Sequence, residues 1–209
     1  MFTGIVKLET QLTECVDTDY GKRLSIVLPA DYSHDIELGA SIALNGACLT
    51  VVKCTYDHQQ QALVSFDVIP ETLKLTNLAD VDVGAWINIE RAAKMNAEIG
   101  GHLLSGHIHA QAQLENVIEQ EKAYSLQFSV PEQWSKYVLH KGYIGLNGCS
   151  LTIGEVDASR FWIHLIPETL SITNFDKLKT GDKVNLEIDS QTQAVIDTVE
   201  RVLASKNLI

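Results

Sequence analysis

Short runs in which apolar and polar residues alternate account for much of this chain. Leu24-Ser25-Ile26-Val27-Leu28 is rich in apolar residues and stops at Pro29, which reads as a strand closed by a residue that cannot extend a ladder. Ile42-Ala43-Leu44 and Leu49-Thr50-Val51-Val52 flank Asn45-Gly46, a dipeptide that favours tight hairpin turns. Alternation with period two continues at 62–69 and 86–89, and again at 124–130, 144–146, 151–156, 161–166 and 184–188, predicting further strands. Short helices are expected at 71–75, 168–172 and 131–138. Many short strands with close-spaced turns point to a sandwich or a barrel, and closure into a barrel removes exposed strand edges.

The second set of strands repeats the first. Asn45-Gly46-Ala47-Cys48-Leu49-Thr50-Val51 returns as Asn147-Gly148-Cys149-Ser150-Leu151-Thr152-Ile153, and Ile69-Pro70-Glu71-Thr72-Leu73 returns letter for letter as Ile166-Pro167-Glu168-Thr169-Leu170. Thr3-Gly4-Ile5-Val6 aligns with Ser105-Gly106-His107-Ile108, Thr76-Asn77 with Thr173-Asn174, and Gly84, Asn88 and Glu90 with Gly181, Asn185 and Glu187. The first copy is longer between its two strongest blocks. The polar stretch His58-Gln59-Gln60-Gln61 is where the extra residues are expected, because surface turns tolerate insertion. The period exceeds the roughly 20–50 residues of solenoid units, so two complete domains are expected. The fold class is all-β: two tandem barrels, 1–97 and 98–188, followed by a helix at 189–209.

That final segment changes period. Ser190 is a candidate N-cap with Gln193 three residues on, a capping-box pattern. Val195, Ile196, Val199, Val202 and Leu203 then fall at helical spacing. The narrow apolar stripe needs a cover, either its own barrel or another subunit.

Composition narrows the function classes. At 209 residues with a formal net charge of −11, the chain lacks the basic balance of a nucleic-acid binder. No apolar run approaches the roughly 20 residues of a membrane span. Met1-Phe2-Thr3-Gly4 lacks the features of a secretory leader. Cys15, Cys48, Cys54 and Cys149 show neither paired metal spacing nor disulfide density, so reduced thiols in the cytoplasm are expected.

Candidate chemistry lies where matched positions differ. Cys48 stands opposite Ser150 and Ile5 opposite His107, while Thr50 and Thr152 agree. One scaffold with unequal polar groups suits two similar ligands with unequal roles. By itself Cys48 reads first as a small packing residue. His107, with His102 and His109 nearby, can serve proton transfer near neutral pH, or be a surface or satisfied core residue. Strand alternation would send His107 and His109 to one face without a third metal ligand. Gly100-Gly101 lacks the spacing of a dinucleotide fingerprint. The two Ile-Pro-Glu-Thr-Leu blocks can be plain helix starts or a pocket floor whose amides meet a planar heterocycle.

Taken together, Met1-Phe2-Thr3-Gly4-Ile5-Val6, the Asn45 block, Asn88-Ile89-Glu90-Arg91-Ala92-Ala93-Lys94, Gly100-Gly101-His102-Leu103-Leu104-Ser105-Gly106-His107-Ile108 and both Ile-Pro-Glu-Thr-Leu blocks resemble riboflavin synthase of the duplicated, trimeric type. Ala47 stands where some members carry a second cysteine. The resemblance implies two six-stranded Greek-key barrels, a homotrimer gathered by the terminal helix, and association with lumazine synthase as a further partner. It implies no metal and no redox cofactor. The implied reaction is dismutation of two molecules of 6,7-dimethyl-8-ribityllumazine, one giving a four-carbon unit to the other.

Carried over by position, the first pocket would use Cys48, Leu49 and Thr50 with Asp67, Val68, Ile69, Pro70, Glu71 and Thr72. The second would use Ser150, Leu151 and Thr152 with Ile166, Pro167, Glu168, Thr169, Leu170 and Ser171. Gly4, Ile5 and Val6 would border one pocket across a subunit boundary, and Gly106, His107, Ile108 and Lys141 the other. His107 is the first candidate for proton transfer, with Cys48, Ser150 and Thr152 to polarise an added nucleophile and Phe2 to close the site. The chief rival reading is a non-catalytic lumazine- or flavin-binding antenna protein. A flavin-binding reductase barrel fits less well, because no nicotinamide domain follows.

Overall fold

The structure is a computed structural model that describes residues 1–96, 98–120 and 123–207. The expected boundary at Ala97 and the last two residues of the terminal helix, 208–209, lie outside the described residues.

Each copy closes on itself. The first barrel contains β1 (Leu8–Thr18), β2 (Gly21–Leu28), β3 (Ser41–Leu44), β4 (Ala47–Tyr56), β5 (Ala62–Val68) and β6 (Trp86–Arg91), hydrogen-bonded in the order β1-β2-β5-β4-β3-β6. The second contains β7 (Ala110–Gln120), β8 (Ala123–Ser129), β9 (Tyr143–Leu146), β10 (Cys149–Asp157), β11 (Arg160–Leu165) and β12 (Lys183–Ile188), in the order β10-β11-β8-β7-β12-β9. Period-two alternation sends one face of each strand inward. Leu24, Ile26, Leu28, Val64 and Phe66 fill the first core, and Leu126, Phe128, Phe161, Ile163 and Leu186 the second. The β4–β5 turn carries His58 to Gln61 and is longer than the β10–β11 turn, as the repeat predicts.

The leading strands β1 and β7 leave little pattern. Leu12 is the one buried residue of β1, and a register shift follows it; the matching shift in β7 follows Leu114. A bulge breaks the period that alternation depends on.

Short helices follow the matched blocks: α1 (Pro70–Leu75), α2 (Glu132–Ser135) and α3 (Pro167–Ile172), with α1 and α3 each opening on proline. The terminal helix α4 spans Ser190–Ser205. Its cap is Asp189, not Ser190: the Asp189 carboxylate accepts from the Thr192 and Gln191 N–H groups, and its charge suits a helix N-terminus better than a hydroxyl does. Asp197 and Glu200 bond Tyr137 and Lys136, fastening one face of α4 to the second barrel. Val195, Val199 and Val202 remain exposed on α4.

The barrels meet through contacts that come in equivalent pairs. Asn88 Nδ2 donates to the Asn147 carbonyl at 3.0 Å, and Asn185 Nδ2 to the Asn45 carbonyl at 2.8 Å. Phe2 and Leu104 exchange both backbone hydrogen bonds, at 2.8 and 3.0 Å. Gly46 and Gly148 touch backbone to backbone at φ of +80° each. A Cβ on Gly46 would fall 2.6 Å from the Gly148 nitrogen, so only glycine fits.

Candidate active site

The segment leading into each barrel crosses to the other barrel. Val6 is buried in the core of the second barrel, and Ile108 in the core of the first. Burying one such aliphatic side chain is worth about 1.5–3 kcal/mol. Just ahead of them, Gly4 accepts a hydrogen bond from the Ser150 N–H at 2.7 Å, and Gly106 accepts from the Cys48 N–H at 2.9 Å. Both glycines hold positive φ, and a Cβ on either would fall within 2.5 Å of the side chain opposite. The Gly4-Ile5-Val6 segment thus meets the second barrel of its own chain.

The first pocket sits at the start of β4. Cys48 and Thr50 point away from the core while Leu49 points into it. Cys48, Glu71, Thr72, Gly106, His107 and Ile108 border a cleft of about 180 Å³. His107 is exposed at its rim. Its place beside Cys48 comes from the cross-over of 105–108, a contact that no local pattern encodes. A larger cavity of about 760 Å³ lies beside Lys7, Arg91 and Lys94; it contains neither Cys48 nor Ser150, so the smaller cleft is the better match to the repeated motif.

The matching place at the start of β10 has a group that the first lacks. His102 is buried, with Nδ1 2.6 Å from Ser150 Oγ, and its backbone N–H donates to the same oxygen at 3.1 Å. Gly101 passes so close that a Cβ there would lie 2.9 Å from Ser150 Oγ. The ring stacks on Tyr143 at a centroid distance of 5.1 Å. Burial pushes the His102 pKa down, opposed by the nearby Asp189 carboxylate, so the imidazole is neutral at neutral pH. A neutral ring nitrogen against a hydroxyl can pass a proton. The repeat points to His107, which stands opposite Ile5, and not to His102; the signal that could have found His102 is the Gly100-Gly101 pair, which lets the backbone run against Ser150. Cys149 beside it is inert, its thiol pushed up to about 12 by burial.

Other expected residues divide. Thr50 and Thr152 are exposed at matching places on β4 and β10, each on the outward side with Cys48 or Ser150. Leu49, Leu151 and Val68 are buried in the barrel cores, where alternation turns them inward. Asp67 is held by a two-point pairing with Arg23 at 2.7 and 2.9 Å, which keeps its carboxyl below the usual range. Phe2 is buried against Ala43, Leu104 and Cys48, a wedge behind the cysteine and not a lid over it. Ile69 and Ile166 are exposed just before the prolines of α1 and α3, and Leu170 packs on the second core. Glu168, Thr169 and Ser171 stand on α3. Lys141 is exposed ahead of β9, in the left-handed region at φ 65°. His109 parts company with His107: its Nε2 meets Gln193 at 3.1 Å and its ring packs edge-on to Trp134. Both precede β7, so strand alternation does not govern them.

Comparison with known proteins agrees with this architecture. A family model described as the lumazine binding domain matches residues 3–92 and again 105–189. The riboflavin synthase of Escherichia coli (strain K12) is 49% identical over 207 residues, covering 99% of this chain and 95% of that protein. The riboflavin synthase of Chlamydia pneumoniae is 38% identical over 208 residues, covering 98% of each. Among solved structures, LumP complexed with riboflavin superposes with a TM-score of 0.82 at 29% identity, over 91% of this chain and 100% of that one. LumP complexed with 6,7-dimethyl-8-(1'-D-ribityl) lumazine gives 0.80 at 27% identity, with the same coverage.

Proposed function

The chain belongs to the riboflavin synthase family, and on that premise we propose that it converts two molecules of 6,7-dimethyl-8-ribityllumazine into riboflavin and 5-amino-6-(D-ribitylamino)uracil. One observation carries this reading: equivalent places on β4 and β10, each met by the other barrel's leading segment, present different polar groups. Cys48 with His107 faces one ligand, and Ser150 with His102 faces its twin. Two like heterocycles can then take unequal parts in one reaction.

The chemistry is a carbon-unit transfer. The electron-poor ring acidifies the C7 methyl of one lumazine, a base removes that proton, and the carbanion attacks the ring of the other. His102 and Ser150 form a proton-passing pair: the hydroxyl hydrogen moves to Nδ1 as Oγ takes a hydrogen from a ligand or a water. His107, at the rim of the other cleft, is the second proton-transfer candidate, with Cys48 and Thr152 as polarising groups. Holding both reactants face to face removes an entropy cost worth about 7–11 kcal/mol at best.

The first cleft, about 180 Å³, is smaller than the roughly 300–1,000 Å³ of small-molecule sites. A neighbouring subunit would supply the remaining wall. This supports a homotrimer in which the first barrel of one subunit faces the second barrel of the next, gathered by the exposed valines of α4. The division into 1–97, 98–188 and 189–209, a cytoplasmic setting and association with lumazine synthase belong to the same reading.

The deciding experiment incubates purified protein with 6,7-dimethyl-8-ribityllumazine. Flavin absorbance should develop as two lumazines are consumed per riboflavin. Tight lumazine binding without turnover would favour the antenna reading instead.

A further inference from the structure

We propose that Glu90 and Glu187 are positioning residues whose effects cross between the barrels, Glu90 setting the Ser150 pocket and Glu187 the Cys48 pocket. The two carboxylates end β6 and β12 and are buried, at 5% and 4% exposure. Glu90 Oε1 accepts from the Thr3 N–H at 2.6 Å and the Thr3 hydroxyl at 2.7 Å, and Oε2 accepts from the Gly4 N–H at 3.0 Å. Glu187 repeats the arrangement with the Ser105 N–H, the Ser105 hydroxyl and the Gly106 N–H, at 2.6, 2.7 and 3.1 Å.

Bonds to an ionised acceptor are the strong ones, and three of them fix the orientation of a short segment. What that segment does next differs from what its own barrel needs. The glycine whose N–H meets the carboxylate turns its carbonyl to the opposite barrel: Gly4 to the Ser150 N–H, and Gly106 to the Cys48 N–H. A displaced carboxylate in one barrel is therefore felt two bonds later in the other barrel's pocket, while its own pocket keeps its supports. Burial pushes both carboxyls up, opposed by the bonds from Thr3 and Gly4 or from Ser105 and Gly106; the geometry alone carries the crossed effect.

The test uses the full-length protein. Glu90→Gln keeps the shape but turns an N–H₂ group toward the Gly4 N–H, donor against donor. Amide hydrogen exchange read by NMR should then speed up about tenfold or more at Ser150, the scale of one lost charge-assisted bond, with Cys48 unchanged. Glu187→Gln should do the reverse. If either variant fails to fold, Thr3→Val and Ser105→Ala each remove the hydroxyl that donates to the carboxylate, together with the bond it accepts from the Ile5 or His107 N–H, and should give the same crossed pattern at smaller size. Loosening of both amides alike, or of the pocket in the same barrel as the substitution, would overturn the proposal.

The inference for catalysis rests on the reaction proposed above, while the exchange measurement does not. Crossed exchange with a lowered kcat supports both. Crossed exchange in a protein that never turns over lumazine leaves the positioning intact and removes the reaction.

Discussion

Ser150 Oγ and His102 Nδ1 lie 2.6 Å apart, while Cys48, at the matching place in the first pocket, makes no side-chain hydrogen bond among the described residues. The duplication therefore yields one pocket with a hydroxyl–imidazole pair and one with a thiol. Ser150→Ala and His102→Gln should each lower kcat by about 10²–10⁴-fold, the range of a positioned proton-transfer group. Because the two act as a unit, the double variant should lose little beyond the worse single one. Fully additive losses in steady-state assays would show that the pair does not work together.

His107 is a separate wager. His107→Gln should slow turnover by about tenfold or more while lumazine binding, followed by fluorescence titration, persists. Turnover near that of the parent protein would remove His107 from the chemistry.

Acid should weaken the fold through His102. Burial holds its pKa below the ordinary value, so as pH falls through about 6.5 the unfolded chain takes up a proton that the folded chain does not. Stability then rises with pH across the window between the folded value and the unfolded one, and is fully present above it. Urea unfolding between mildly acidic and neutral pH should show a steeper rise for the parent than for His102→Gln. Equal slopes would mean that this imidazole titrates normally.

The crossed glycines should be intolerant. Gly106→Ala places a Cβ 2.4 Å from the Cys48 Cβ at a φ of +82°, and should cost about 2–4 kcal/mol through overpacking and backbone strain together. Gly39, at φ +85° with open space around it, isolates the strain, so Gly39→Ala should cost only about 1–2 kcal/mol. Thermal or urea unfolding compares the two directly; a similar loss in both would mean that the contact with Cys48 is unimportant.

Deleting the chain after Ser190 should give monomers that bind lumazine but turn it over poorly. Sedimentation and activity measured on one sample decide the matter. An active monomer would show that the reacting pair is not shared between subunits.

Much of the architecture is legible in the sequence. The twin Asn-Gly turns and the Ile-Pro-Glu-Thr-Leu blocks define the copies, and alternation finds the strands that bury several residues. β1 and β7 escape because a bulge and a nearly all-polar surface erase their period. At the site, Cys48 and Ser150 stand out because the repeat aligns them. His102 does not, since it lies in the linker, where the first copy has nothing to compare. The Asp67–Arg23 pairing and the crossing of Val6 and Ile108 depend on partners far along the chain, which spacing cannot supply.

The self-complementary seam has an evolutionary consequence. Where Gly46 meets Gly148 and Phe2 meets Leu104, a change in one copy is judged against its counterpart, so these positions can drift only together. Cys48 and Ser150 face different neighbours and are under no such bond. Selection could thus remodel one pocket while the other stayed as it was, which is how a gene copied into tandem halves acquires a division of labour without losing its joint.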